Sequence, residues 1–105
     1  MGQFSVHQNA SPATRTAIPY LLDVQSNLIE ELGTRVVVPL CPASSMKGKV
    51  VSNLMPILDV DGKQFVMLTP QLAGVPRRVL GPQVADLAAK RTEIIAALDF
   101  LVLGF

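Results

Sequence analysis

There is no tryptophan in this chain, and it has one cysteine, one histidine and one tyrosine. Each scarcity excludes something. With Cys41 alone, no internal disulfide can form, which fits a reducing compartment, and no thiolate zinc site can be assembled. With His7 alone, every Ser-His-Asp or Cys-His catalytic set would have to be built on that one imidazole. The glycines Gly62, Gly74 and Gly81 stand apart from one another, so no glycine-rich phosphate loop is encoded. Charged residues make up only 16% of the chain, and nine basic against eight acidic side chains leave a net charge of +1. Nucleic-acid binding calls for clustered Lys and Arg, and here they are scattered, so no direct nucleic-acid binding is expected. No apolar run approaches the ~20 residues of a membrane span. Met1-Gly2-Gln3-Phe4 has neither the basic nor the apolar region of an export signal, so a cytoplasmic protein is expected.

What the chain does have is grease. Half of its 105 residues are apolar, enough for one folded domain over residues 1–105, and high enough for so short a chain that part of that surface is expected to lie in an interface.

Strand signals fill the first three quarters. Gln3 to His7 alternates polar and apolar, the period of a half-buried strand. Gln8 to Thr16 is a polar loop. Ile18 to Val24 reads as a second strand with Pro19 at its start, and Ser26 to Gly33 as a turn or a short helical piece. Thr34 to Leu40 is a β-branched run expected to be central and buried on both faces. Cys41 to Lys49 reads as a loop. Asp61-Gly62, between Ile57–Val60 and Lys63–Leu68, is a two-residue hairpin turn of the type that needs positive φ at both positions. Val75 to Leu80 reads as a last strand.

The end of the chain is helical in pattern. Pro82 suits a first helical turn, and Val84, Leu87, Ala88, Arg91, Ile94 and Leu98 follow at helical spacing. About twenty residues from Pro82 would give a helix of roughly 30 Å, closed by a C-cap glycine at Gly104. Leu98 to Phe105 is apolar on nearly every face yet ends at a carboxylate that must stay solvated. Such an end is expected to be covered by a second chain, either a twin subunit or a target.

No reaction is visible. His7 reads as an ordinary structural or surface residue, Asp59 and Asp61 as turn formers, and Arg35 as a paired structural arginine in a buried strand, with phosphate binding as its alternative. No metal site and no cofactor are expected.

Several segments in order carry a resemblance. Asp23-Val24-Gln25-Ser26 and Arg35-Val36-Val37-Val38-Pro39-Leu40 are followed by Met67-Leu68-Thr69, Leu72-Ala73-Gly74-Val75-Pro76 and Gly81-Pro82-Gln83-Val84-Ala85-Asp86-Leu87. Ile94-Ile95-Ala96-Ala97-Leu98-Asp99 and the final Gly104-Phe105 complete the series. In sequence and spacing this chain resembles the CcdB toxins over essentially its whole length.

The resemblance implies an α+β fold related to the SH3-like barrels: a five-stranded antiparallel sheet, a small three-stranded wing and a long C-terminal helix. It implies a homodimer with neighbouring C-termini, and the toxin half of a type II toxin–antitoxin pair neutralised by a CcdA-like antitoxin. The target it implies is the A subunit of DNA gyrase, whose cleaved-DNA intermediate is trapped, so that the toxin is an inhibitor rather than an enzyme. The family's gyrase contacts fall on Leu28 and Ile29, which read by themselves fit simple core residues equally well, and on Asp99, Val102, Leu103, Gly104 and Phe105, with dimer core as the alternative for Val102. The antitoxin's contact residues are not identified by it; the segment Cys41 to Lys49 and the strand around Met67 are candidates.

One departure stands out. The plasmid toxins end in Trp-Gly-Ile, and their paired tryptophans sandwich a gyrase arginine. Here the ending is Leu103-Gly104-Phe105, which removes a cation–π contact worth roughly 0.5–2 kcal/mol. Two alternatives stay open: a weakened or retargeted homologue, and an endoribonuclease of the SH3-like class using His7, Arg35, Arg77 or Arg78.

Overall fold

Thr34 to Pro42 forms the longest strand, β3, and one seven-stranded sheet branches at it. The computed structural model describes residues 2–29, 33–46 and 52–104. The other strands are β1 (Ser5–Asn9), β2 (Tyr20–Asp23), β4 (Ile57–Val60), β5 (Lys63–Met67), β6 (Ala73–Pro76) and β7 (Leu80–Asp86), and one helix, α1, spans Arg91–Leu103. The N-terminal half of β3 pairs with β6 (Arg35 opposite Val75), and its C-terminal end pairs with β5 (Cys41 opposite Val66). On its other edge β3 pairs with β2. The result is one seven-stranded antiparallel sheet in which β6-β3-β2-β1-β7 forms a five-stranded body and β4-β5-β3 a three-stranded wing, the two sharing β3. The sheet is curled into a half-barrel, as expected for the CcdB-type α+β fold.

Strand parity sorts the two faces of the sheet. Val6, Leu22, Val38 and Leu40 point to one face, where Phe65, Met67, Leu58 and Val60 of the wing join Ile94 and Ala97 of α1 in the main core. Cys41, Met55, Val66 and Leu68 form a smaller apolar cluster elsewhere. The face of β1 away from the main core carries polar residues that are nonetheless buried: Ser5, His7 and Asn9. Alternation in β1 therefore marks apolar and polar interior faces, not an inside and an outside. Burial is tolerated because the groups are paired. Asn9 donates to the Thr14 hydroxyl and the Ile18 carbonyl and accepts from the Ser11 amide, which shapes the loop after β1.

The hairpin expected at Asp61-Gly62 is present. Val60 pairs with Lys63, and φ is +54° at Asp61 and +81° at Gly62. Smaller differences surround the other strands. β1 begins at Ser5, with Gln3 and Phe4 in a turn. Ile18 and Pro19 precede β2, and Cys41-Pro42 extends β3 instead of opening a loop.

The long helix from Pro82 is not formed. Val75 to Leu80 divides into the end of β6, a 3-10 turn at Arg77–Val79 and the start of β7, which continues to Asp86. Residues 88–90 form another 3-10 turn, and α1 itself has 13 residues, about 20 Å. β7 is an edge strand, where the missing N–H of Pro82 does little harm, and register shifts against β1 on both sides of His7 absorb its extra residues. Val84 and Ala85 still pack on the main core. The spacing of Val84 and Leu87 thus satisfied a helical template while serving a bulged strand and its exit. Gly104 does cap α1: its φ is +78° and its amide donates to the Phe100 carbonyl at 2.9 Å.

Candidate functional site

Among the described residues large apolar side chains are exposed singly at Ile57 and Leu72, and at the two segments where the resemblance places the site. The first follows β2. Asp23 accepts from the Gln25 amide at 3.0 Å, and the Ser26 hydroxyl accepts from the Leu28 amide at 3.1 Å. These short-range bonds close a 3-10 turn at Asn27–Ile29. Leu28, at its middle, is 96% exposed. Burying a leucine gains roughly 1.5–3 kcal/mol, so the fold forgoes that gain at this position. The backbone of Ile29 lies in the same turn.

The second segment is the end of α1. Ile94 and Ala97 face the core, and Ile95 and Leu98 are partly covered. Beyond them the helix end is exposed from Leu101 to Gly104. Val102 is 76% and Leu103 57% exposed, and Gly104 and Asp99 are also exposed. Asp99 borders an open groove of about 420 Å³ with Asn53, Ala96 and Phe100. Phe105 lies outside the described residues, as do Lys47 to Lys49 of the candidate antitoxin segment.

Among the residues expected at the protein-binding site, then, Leu28, Asp99, Val102, Leu103 and Gly104 are all at the surface. Met67 is fully buried in β5 and offers no surface to an antitoxin; Lys63 and Gln64 of that strand are the exposed ones. They line a groove of about 620 Å³ with Ala43, Ser44 and Phe65.

Of the candidate chemical residues, Arg35 and His7 are occupied structurally, whereas Arg77 is half-buried and Arg78 exposed in the 3-10 turn after β6. Arg35 is fully buried and bonds Asp23 through two nitrogens, at 2.8 and 3.0 Å. It is the paired structural arginine, and it presents no charge to a phosphate. His7 is buried, with Nδ1 3.0 Å from the Gly81 carbonyl and Nε2 2.9 Å from the Ser5 hydroxyl. A carbonyl only accepts, so Nδ1 carries a proton. Both ring nitrogens are used within the fold. Cys41 is buried, and burial raises its thiol pKa above the ordinary value. Among the described residues no cluster of His, Cys, Asp or Glu could hold a metal ion, and no helix is long and apolar enough to cross a membrane.

Three features were not legible in the sequence. Asp23 is the partner of Arg35, Gln3 holds Asn27, and Gly81 sits where a side chain would collide with Gln8. All are long-range contacts in sequence; only the shared segment Asp23-Val24-Gln25-Ser26 hinted that the first mattered.

A match to the family described as CcdB protein covers residues 3–104. With a match over that span, the chain belongs to the CcdB family of toxin–antitoxin toxins.

Proposed function

We propose that this protein is a homodimeric toxin that binds the A subunit of DNA gyrase and traps the gyrase–DNA cleavage complex, and that a CcdA-like antitoxin neutralises it. The observation that carries this reading is the exposure of Leu28, Val102 and Leu103, apolar side chains at positions where the family makes its gyrase contacts. Exposed apolar groups of this size mark surfaces that a partner covers. Two copies with adjacent helix ends would present them as one patch beside Asp99. The toxin would act by shape, leaving the chemistry to gyrase, and would act in the cytoplasm, where gyrase works.

The antitoxin would bring a disordered segment that orders on binding, a mode suited to wrapping an extended surface. The wing groove beside Ala43, Ser44, Lys63 and Gln64 is open to such a segment.

The test is DNA cleavage by purified gyrase, with supercoiled plasmid and ATP, with and without this protein. Linear DNA accumulating after detergent and protease supports the reading. Normal supercoiling with no trapped breaks, given a folded dimer, overturns it.

A second reading has its own observation. Leu103 is exposed yet has no π face, so a homologue with weakened or redirected binding would look like this. In that case Leu103→Trp raises gyrase trapping from an undetectable level.

A further inference from the structure

The turn that displays Leu28 is held from outside by the start of the chain. The Gln3 amide donates to Oδ1 of Asn27 at 2.8 Å, and the Gln3 side chain donates to the Val24 carbonyl at 3.3 Å. Phe4 makes this reach possible. Its φ is +70°, the left-handed region, which is strained and rare for a bulky residue. That conformation persists because its surroundings enforce it. The Phe4 amide donates to the Asp23 carbonyl at 2.6 Å and its carbonyl accepts from Leu87 at 2.8 Å. Its ring is buried, with the Arg91 guanidinium 5.7 Å from the ring centroid. A buried, strained residue thus turns Gln3 towards an exposed loop that has no apolar packing of its own through Leu28.

We propose that Gln3 and Asn27 form a clasp that fixes the turn presenting Leu28, which makes Asn27 a positioning residue for the capture of gyrase. The inference rests on the gyrase reading of Leu28. The Asn27–Gln3 bond adds no contact with the target. It limits the conformations from which Leu28 must be selected, and so reduces the ordering cost of binding.

The experiment uses the full chain and the gyrase A subunit. In the free protein, amide exchange at Gln3 and Leu28 is compared for the original chain, Asn27→Ala and Asn27→Asp, with thermal stability measured alongside. Asn27→Ala is expected to speed exchange at both amides with little change in Tm. Asn27→Asp, which keeps the acceptor, restores protection. Gyrase affinity is expected to fall about three- to fivefold in Asn27→Ala, the worth of one modest hydrogen bond, and to return in Asn27→Asp. In a Leu28→Ala background the same change should have no further effect. Unchanged exchange at Gln3 on Asn27→Ala overturns the clasp. An equal loss of affinity with and without Leu28 also overturns it, since Asn27 would then touch gyrase directly. If Leu28→Ala alone leaves affinity unchanged, the reading of the site fails, whatever the exchange data show about the clasp.

Discussion

Arg35 and Asp23 meet in the interior as a two-point ion pair, with Nε 2.8 Å from Oδ2 and Nη2 3.0 Å from Oδ1, and neither side chain reaches solvent. The pair ties β3 to the end of β2 at the base of the Leu28 turn. Asp23 also accepts from the Gln25 amide, and the Gln25 side chain accepts from the Val36 amide at 3.0 Å. Among the described residues Nη1 of Arg35 has no partner, so the network is not fully satisfied.

Removing one partner of this pair leaves a buried, uncompensated charge. Arg35→Met should cost about 3–5 kcal/mol. The double variant Arg35→Met/Asp23→Leu should recover a large part of that, because the stranded carboxylate is gone. Urea unfolding at equal chain concentration checks both, since the stability of the proposed dimer would depend on concentration.

Gly81 is required by proximity. A Cβ there would lie 2.9 Å from the Gln8 carbonyl oxygen and 3.2 Å from its Cβ. The obstacle is backbone, and the Gly81 carbonyl is also the acceptor for His7. Gly81→Ala should therefore push β7 from β1 and destabilise by about 1–3 kcal/mol. The His7 ring resonances, followed by NMR, should shift with it.

Burial holds the Cys41 thiol neutral and raises its pKa from an ordinary value of about 9. The folded state then keeps a proton that the unfolded state loses. Stability is unaffected by this group below that ordinary value and falls as pH rises from it towards the folded pKa. Cys41→Ala should flatten the alkaline limb of a stability–pH profile relative to the original chain. An identical slope in both proteins would show that the thiol contributes nothing.

Leu103 offers a gain rather than a loss. Leu103→Trp should tighten gyrase binding by about 2- to 30-fold per site through a restored cation–π contact. Leu28→Ala, by contrast, should weaken binding about tenfold or more while altering stability by less than about 0.5 kcal/mol. Calorimetric titration with the gyrase A subunit and thermal unfolding separate the two effects.

Local chemistry alone determined the Asp61-Gly62 hairpin, the central position of Thr34 to Leu40 and the Gly104 cap. Each depends on φ preference or on an unbroken apolar run, which neighbours in sequence settle. The apolar character of Leu98 to Phe105 was equally plain. The path from Leu80 to Asp86 was not. Its apolar spacing fits a helix as well as a bulged strand, and only pairing with β1, distant in sequence, decides between them. Burial of Ser5, His7 and Asn9 was hidden for the same reason. A polar residue reads as wet until tertiary structure supplies its partners. Whether Leu28 was core or surface was likewise open from sequence. The decision came from the fold: bonds to Asp23, Ser26 and Gln3 shape a turn in which, among the described residues, nothing covers Leu28.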